Sequence, residues 1–122
     1  MSARILELRA RPRAWAVLAR GMEERRPVIA GYHGSARLLC PHVLGWRAGR
    51  AKALSFQIAA VSSAETTGYE SERGWRSMFV DEIEDATLYD GTWTTPDDYA
   101  GPANGIDVVE LAVEVPGPRG LK

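Results

Sequence analysis

The 122 residues predict a mainly β protein (α+β): one N-terminal helix followed by a small barrel or curled sheet. Three observations carry that prediction. Only one segment, Ala14 to Glu24, repeats its apolar residues at helical spacing. After Pro27 come five or more short runs with strand character. Glycine, proline and aspartate turn signals separate those runs at regular intervals, the pattern of a small all-β unit. The length is that of one domain, residues 1–122.

Residues 1–11 form a basic and apolar arm with Ile5, Leu6 and Leu8. Pro12 suits a first helical turn, where its missing N–H costs nothing. Trp15, Leu18 and Met22 then fall on one helical face, expected to cover an open end or one face of the sheet, and Pro27 stops the helix. Val28 to His33 reads as a strand, Gly34-Ser35 as a turn and Ala36 to Cys40 as the returning strand. Pro41 interrupts the ladder because it cannot donate a hydrogen bond, and Val43 to Trp46 resumes it. Ala48-Gly49 is a hairpin signal, Gly49 being free to take positive φ. Arg50 to Val61 is the partner strand, with Ala53, Ser55, Gln57 and Ala59 on one face and Leu54, Phe56 and Ile58 on the other.

Ser62 to Gly74 is polar and aperiodic, hence a loop, and Trp75 to Val80 is a strand. Asp81-Glu82-Ile83 reads as a turn or short helical corner, Ala86 to Tyr89 as extended, and Asp90-Gly91 as a hairpin before Thr92-Trp93-Thr94. Pro96 to Gly105 is a loop, Ile106 to Val115 a last strand or tail, and the residues from Pro116 onward are expected to fray.

Composition excludes several classes. The chain is 45% hydrophobic and 25% charged, so it is neither a disordered tail nor a coiled coil. No run has the ~20 apolar residues of a membrane helix, and the N-terminus shows no export signal. With Cys40 as its one cysteine there is no disulfide framework, so a cytoplasmic location is expected.

The net charge of −1 hides an asymmetry. Residues 1–64 hold eleven basic and three acidic side chains; residues 65–122 hold four and thirteen. No acid lies between Glu24 and Glu65, a window holding Arg25, Arg26, Arg37, Arg47, Arg50 and Lys52. Such a stretch attracts an anion, or else the two halves neutralise each other in the fold or between copies. A pI of 6.1 argues against general nucleic-acid binding, and a single helix against a helix-turn-helix.

Residues 14–93 resemble a WYL domain, with 94–122 as a C-terminal extension. The resemblance rests on motif order. A helix with a basic end precedes Val28-Ile29-Ala30-Gly31-Tyr32-His33-Gly34. The run Arg37-Leu38-Leu39-Cys40-Pro41-His42-Val43-Leu44 follows the family's Arg-x-x-x-Pro-x-x-Leu. Gly49-Arg50 opens the next strand, and Met78-Phe79-Val80-Asp81-Glu82-Ile83 stands where the family has Phe-Arg-Leu-Asp-Arg-Ile. The chain departs from the family at its name motif, where it has Ala51-Lys52-Ala53, and at Phe79 and Glu82, which replace arginines. The resemblance implies an SH3-like or Sm-like β-barrel after an N-terminal helix, here with an extra C-terminal strand. It also implies a regulatory module that binds nucleotides, single-stranded nucleic acid or other anionic ligands. In this chain such a module stands without an attached DNA-binding domain.

Tyr32, Arg37 and Arg76 are the first candidates for a ligand face, because guanidinium forks match phosphate and tyrosine offers a ring and a hydroxyl. Their structural alternative is an internal ion pair for Arg37 and a half-buried barrel position for Tyr32. Gln57, Ser62 and Ser63 could add hydrogen bonds at the rim, or merely cap a turn. His33, Cys40 and His42 lack the fourth ligand and paired spacings of a zinc site, and read as structural. Asp81, Glu82, Glu84 and Asp85 lack the pattern of a calcium loop, so no metal and no cofactor is expected. Nothing assembles a nucleophile, base and stabiliser, so the chain is not expected to be an enzyme. The alternative to an anion sensor is an interaction module that homodimerises by strand addition through Ile106 to Val115 or by charge complementarity.

Overall fold

A computed structural model describes residues 11–62, 73–102 and 105–116. Among them lie α1 (Ala14–Glu24), β1 (Val28–Tyr32), β2 (Ser35–Arg47), β3 (Arg50–Ser62), β4 (Gly74–Phe79), a 3-10 turn (Val80–Glu82), β5 (Ile83–Leu88) and β6 (Val108–Ala112). The protein is mainly β: one helix and a six-stranded antiparallel sheet ordered β4-β3-β2-β1-β5, with β6 beside β2.

Hydrogen bonds do not close that sheet, which corrects the expectation of a barrel. β4 and β5 follow each other in the chain yet stand at opposite ends of the strand order. The 3-10 turn between them buries Val80 in the core instead of extending the ladder. At the end of β4 the Phe79 N–H donates to the Tyr32 hydroxyl of β1 at 3.4 Å, a side-chain bond rather than a strand pairing.

α1 spans the residues its periodicity predicts. Its buried face is Ala14, Leu18, Gly21 and Met22, while Trp15 is only partly covered and stacks on Trp46 at 5.3 Å. The helix stops before Pro27 is reached: Arg25 takes left-handed backbone (φ 55°), and the Arg26 N–H returns to the Gly21 carbonyl at 2.9 Å. Gly21 also permits close packing, since a Cβ there would sit 2.9 Å from Val28 Cγ2. That contact places α1 on the sheet face carrying Val28 and its cross-strand partners Leu39 and Leu88.

The strands obey local turn chemistry. His33 and Gly34 (φ 51° and 80°) form the two-residue hairpin between β1 and β2, one position earlier than the predicted Gly34-Ser35. Ala48 and Gly49 (φ 49° and 83°) form the second, as predicted. Pro41 does not end a strand. β2 runs through it without a break, and the proline is buried where the ladder changes partner: β1 pairs with residues up to Leu39, β6 with Val43 to Trp46. A register shift against β3 between Pro41 and Val43 leaves His42 as the extra residue of a bulge. The missing N–H thus falls where fewest ladder bonds are asked of it.

Three further boundaries differ from the sequence reading. β5 begins at Ile83, three residues earlier than predicted; Thr92 to Thr94 is not a strand; and β6 covers only the middle of the predicted last strand. Residues 92–99 instead pack against His42. That imidazole is fully buried, with Trp93, Tyr99 and Trp75 at ring distances of 4.9, 4.8 and 5.1 Å. The Cys40 carbonyl, 2.7 Å from Nδ1, can only accept, so Nδ1 carries the proton. Nε2 then accepts from the Thr95 hydroxyl at 2.9 Å, and Thr95 in turn accepts the Trp93 indole N–H at 2.8 Å. Tyr99 locks the other side by donating to the Val113 carbonyl at 2.7 Å. Among the described residues no helix is long and apolar enough to cross a membrane.

Two outcomes follow from this packing. Leu18→Ala removes a fully buried side chain and is expected to cost about 2–5 kcal/mol in urea denaturation. Burial holds His42 below its ordinary value of 6.5, while its bond to the Cys40 carbonyl opposes that shift. Because the unfolded chain takes up the proton first, stability is full above pH 6.5 and falls as the pH drops below it. The carboxylates titrate lower, so this loss precedes theirs; in His42→Asn the difference in unfolding free energy between pH 7.5 and 5.5 should shrink.

Candidate functional site

Strand alternation gathers a polar row on the sheet face that also carries the core. Leu39 pairs with Gln57, Ser55 with Arg76, and Ala53 with Met78, so Gln57, Ser55, Ala53, Arg76 and Met78 share one face. Arg37, two residues from Leu39, joins them from β2, and Tyr32 joins from β1 two residues beyond Ala30, the partner of Arg37. The apolar end of this face (Val28, Leu39, Leu44, Ala53 and Met78) is core. Towards the β1–β2 hairpin the face holds Tyr32 and Arg37; Gln57 stands opposite Leu39, and the Ser55–Arg76 pair lies level with Pro41, beside the core.

Side-chain contacts confirm the grouping. Arg37 Nη1 donates to Gln57 Oε1 at 3.2 Å, and the guanidinium lies 5.3 Å from the Tyr32 ring centre. Burial, then the like charge of Arg76, lower the Arg37 pKa; the Tyr32 hydroxyl opposes them. No carboxylate of the described residues is among the groups that act on it. Arg37 Nε and Ser55 Oγ are buried and have no hydrogen-bond partner among the described residues. An unsatisfied buried polar atom costs about 1–3 kcal/mol, so each marks a place where stability is given up.

The structure thus brings four of the six predicted residues together: Tyr32, Arg37, Gln57 and Arg76. Ser62 ends β3 with its backbone paired to Ser35, and Ser63 lies outside the described residues. Ser55 was legible only as an inward-facing strand residue; its missing partner has no sequence signal.

Tyr32 has partners of its own within the fold. His33 stacks on its ring at 4.0 Å and 16°, which leaves the opposite ring face to Arg37. Its hydroxyl accepts the Phe79 N–H and donates to Glu82 at 3.3 Å. Ring and hydroxyl are thus both engaged within the fold, the ring against His33 and Arg37 and the hydroxyl with Phe79 and Glu82. Burial raises the pKa of that phenol, and the neighbouring Glu82 carboxylate adds to the shift.

Much of the basic window is neutralised within the fold. Arg50 binds Asp81 at 2.7 Å and Glu82 at 3.1 Å, Arg47 reaches Asp107 at 3.6 Å, and Arg26 reaches Glu24 at 3.4 Å. Glu82, where the resembled family has arginine, also takes His33 at 2.8 Å; that bond and the one from Arg50 keep its carboxyl below the usual range. His33 and His42 belong to separate networks, and the described residues hold no His, Cys, Asp and Glu grouping able to bind a metal.

Ser55→Ala removes a buried hydroxyl that has no partner among the described residues. Urea denaturation should show stability unchanged or raised by about 1 kcal/mol; a loss above that would mean the hydroxyl is satisfied in the fold. Compared with family models, curated proteins and solved structures, the chain matches none of them.

Proposed function

We propose that the chain is a WYL-like regulatory sensor that binds an anionic ligand, a nucleotide or single-stranded nucleic acid, at Arg37 and Arg76. The observation that carries the reading is the setting of Arg37. It is half-buried beside a second guanidinium, stacked on Tyr32 and fixed by Gln57, and no carboxylate of the described residues acts on it. A charge so placed is costly without an anion, and sites of function are where such costs are retained. A helix packed on an antiparallel meander, with β5 returned beside β1, supports the SH3-like form of the reading. On this reading the protein binds and does not catalyse.

Calorimetric titration of the full chain with adenosine monophosphate at 50 and 200 mM salt tests it. Binding is expected to weaken as salt rises, and Arg37→Ala to weaken it about ten-fold or more, since a hydrogen bond to a charged group contributes about 1.5–3 kcal/mol. Arg47→Ala, which breaks an exposed pair with Asp107, should leave it unchanged. Binding that ignores both salt and Arg37 contradicts the proposal.

A specific observation favours the alternative, homodimerisation by strand addition. Among the described residues β6 pairs with β2 alone, and its Val108 and Val109 are 56% and 40% exposed, apolar positions on a strand with a free edge. Light scattering of the native chain and of Val108→Lys decides it: a dimer that the lysine dissociates supports this reading, and a native monomer removes it.

A further inference from the structure

We propose that the site reads a compact oxyanion, the phosphate group of a small molecule, and does not read a base. The inference rests on the anion-binding reading and narrows it. Recognition of a nucleotide or single strand through its base needs an exposed aromatic face beside the cationic groups. Among the described residues Tyr32 is the aromatic one at this end of the sheet face, and His33 on one side and Arg37 on the other cover its ring. Phe56 and Trp75 neighbour Gln57 and Arg76 in sequence, so alternation sends both to the opposite face, where they pack on each other at 5.4 Å. His33 does present an outer face, but on the far side of Tyr32 from Arg37. Its ring nitrogen is bound to Glu82, a carboxylate that repels a nucleotide's phosphate there.

What the site does offer is polar and small in scale. The Arg37 side chain reaches Gln57 on the next strand at 3.2 Å, and Ser55, two residues along β3 from Gln57, faces Arg76 on β4 one strand away, about 5 Å. The unpartnered Nε–H of Arg37 and the hydroxyl of Ser55 are hydrogen-bond donors, as a phosphate requires. Both atoms are buried, so a polymer on the surface does not reach them, and a guest that meets them must be small and must displace the side chains that cover them.

The test titrates the full chain with inorganic phosphate, ribose 5-phosphate, adenosine monophosphate, adenosine and an oligothymidylate, following affinity by calorimetry and the Arg37 Nε–H signal by NMR. The three small phosphates are expected to bind within five-fold of one another and to shift the Arg37 signal, with adenosine silent. Ser55→Ala should weaken all three alike without loss of fold. If adenosine monophosphate or the oligonucleotide binds more than five-fold tighter than ribose 5-phosphate, the base is read and this proposal fails while the anion site stands. If the phosphates bind without moving the Arg37 signal, the site is misplaced. If none binds, both the proposal and the reading beneath it fall.

Discussion

The fold depends on the course of β2 through Pro41. One edge of this thirteen-residue strand is taken by β3, and the other serves two partners in succession, β1 before the proline and β6 after it. The change of partner falls where an amide hydrogen is absent and a bulge turns His42 into the far side of the sheet. That imidazole anchors Trp93, Thr95 and Tyr99, and through them the C-terminal segment. The segment covers one face of the sheet, α1 covers the apolar part of the other, and the polar end of that second face is left to Arg37 and its neighbours. A straight β2 would provide neither the seat for His42 nor an edge for β6.

Charge divides in the same way. The basic first half and the acidic second half meet in pairs such as Arg50 with Asp81 and Glu82, Arg47 with Asp107, and Arg11 with Glu110. These contacts are exposed and contribute little each, and together they offset part of the asymmetry. Arg37 differs in kind. It is held by an aromatic ring and an amide, beside a like charge, in a partly buried position where desolvation works against it. Physical economy explains the surface pairs; for Arg37 the proposed reading is that an anion completes the site.

Elements set by local chemistry were legible in the sequence. The periodicity of Trp15, Leu18 and Met22 marks α1 from Ala14 to Glu24, and Ala48-Gly49 marks its hairpin to the residue. Where long-range packing decides, the sequence misleads. Pro41 reads as a break because the ladder's change of partner is invisible locally, and Thr92-Trp93-Thr94 reads as a strand because nothing nearby reveals that His42 claims it. Open hydrogen bonding between β4 and β5 likewise depends on how far the 3-10 turn carries the chain. Site residues followed the same division. Alternation within strands identifies Arg37, Gln57 and Arg76 as neighbours, whereas the engagement of Tyr32 by His33 and Glu82 and the unpartnered Ser55 hydroxyl exist only in three dimensions.

The account turns on Arg37 being the cation that an external anion completes. A crystal structure of the chain grown or soaked with tungstate, a heavy tetrahedral oxyanion located by its anomalous scattering, addresses this directly. The account predicts a peak within hydrogen-bond distance of the Arg37 guanidinium, on the side of Ser55 and Arg76. A guanidinium of Arg37 closed by one of the chain's own carboxylates, with the anion elsewhere, would contradict it.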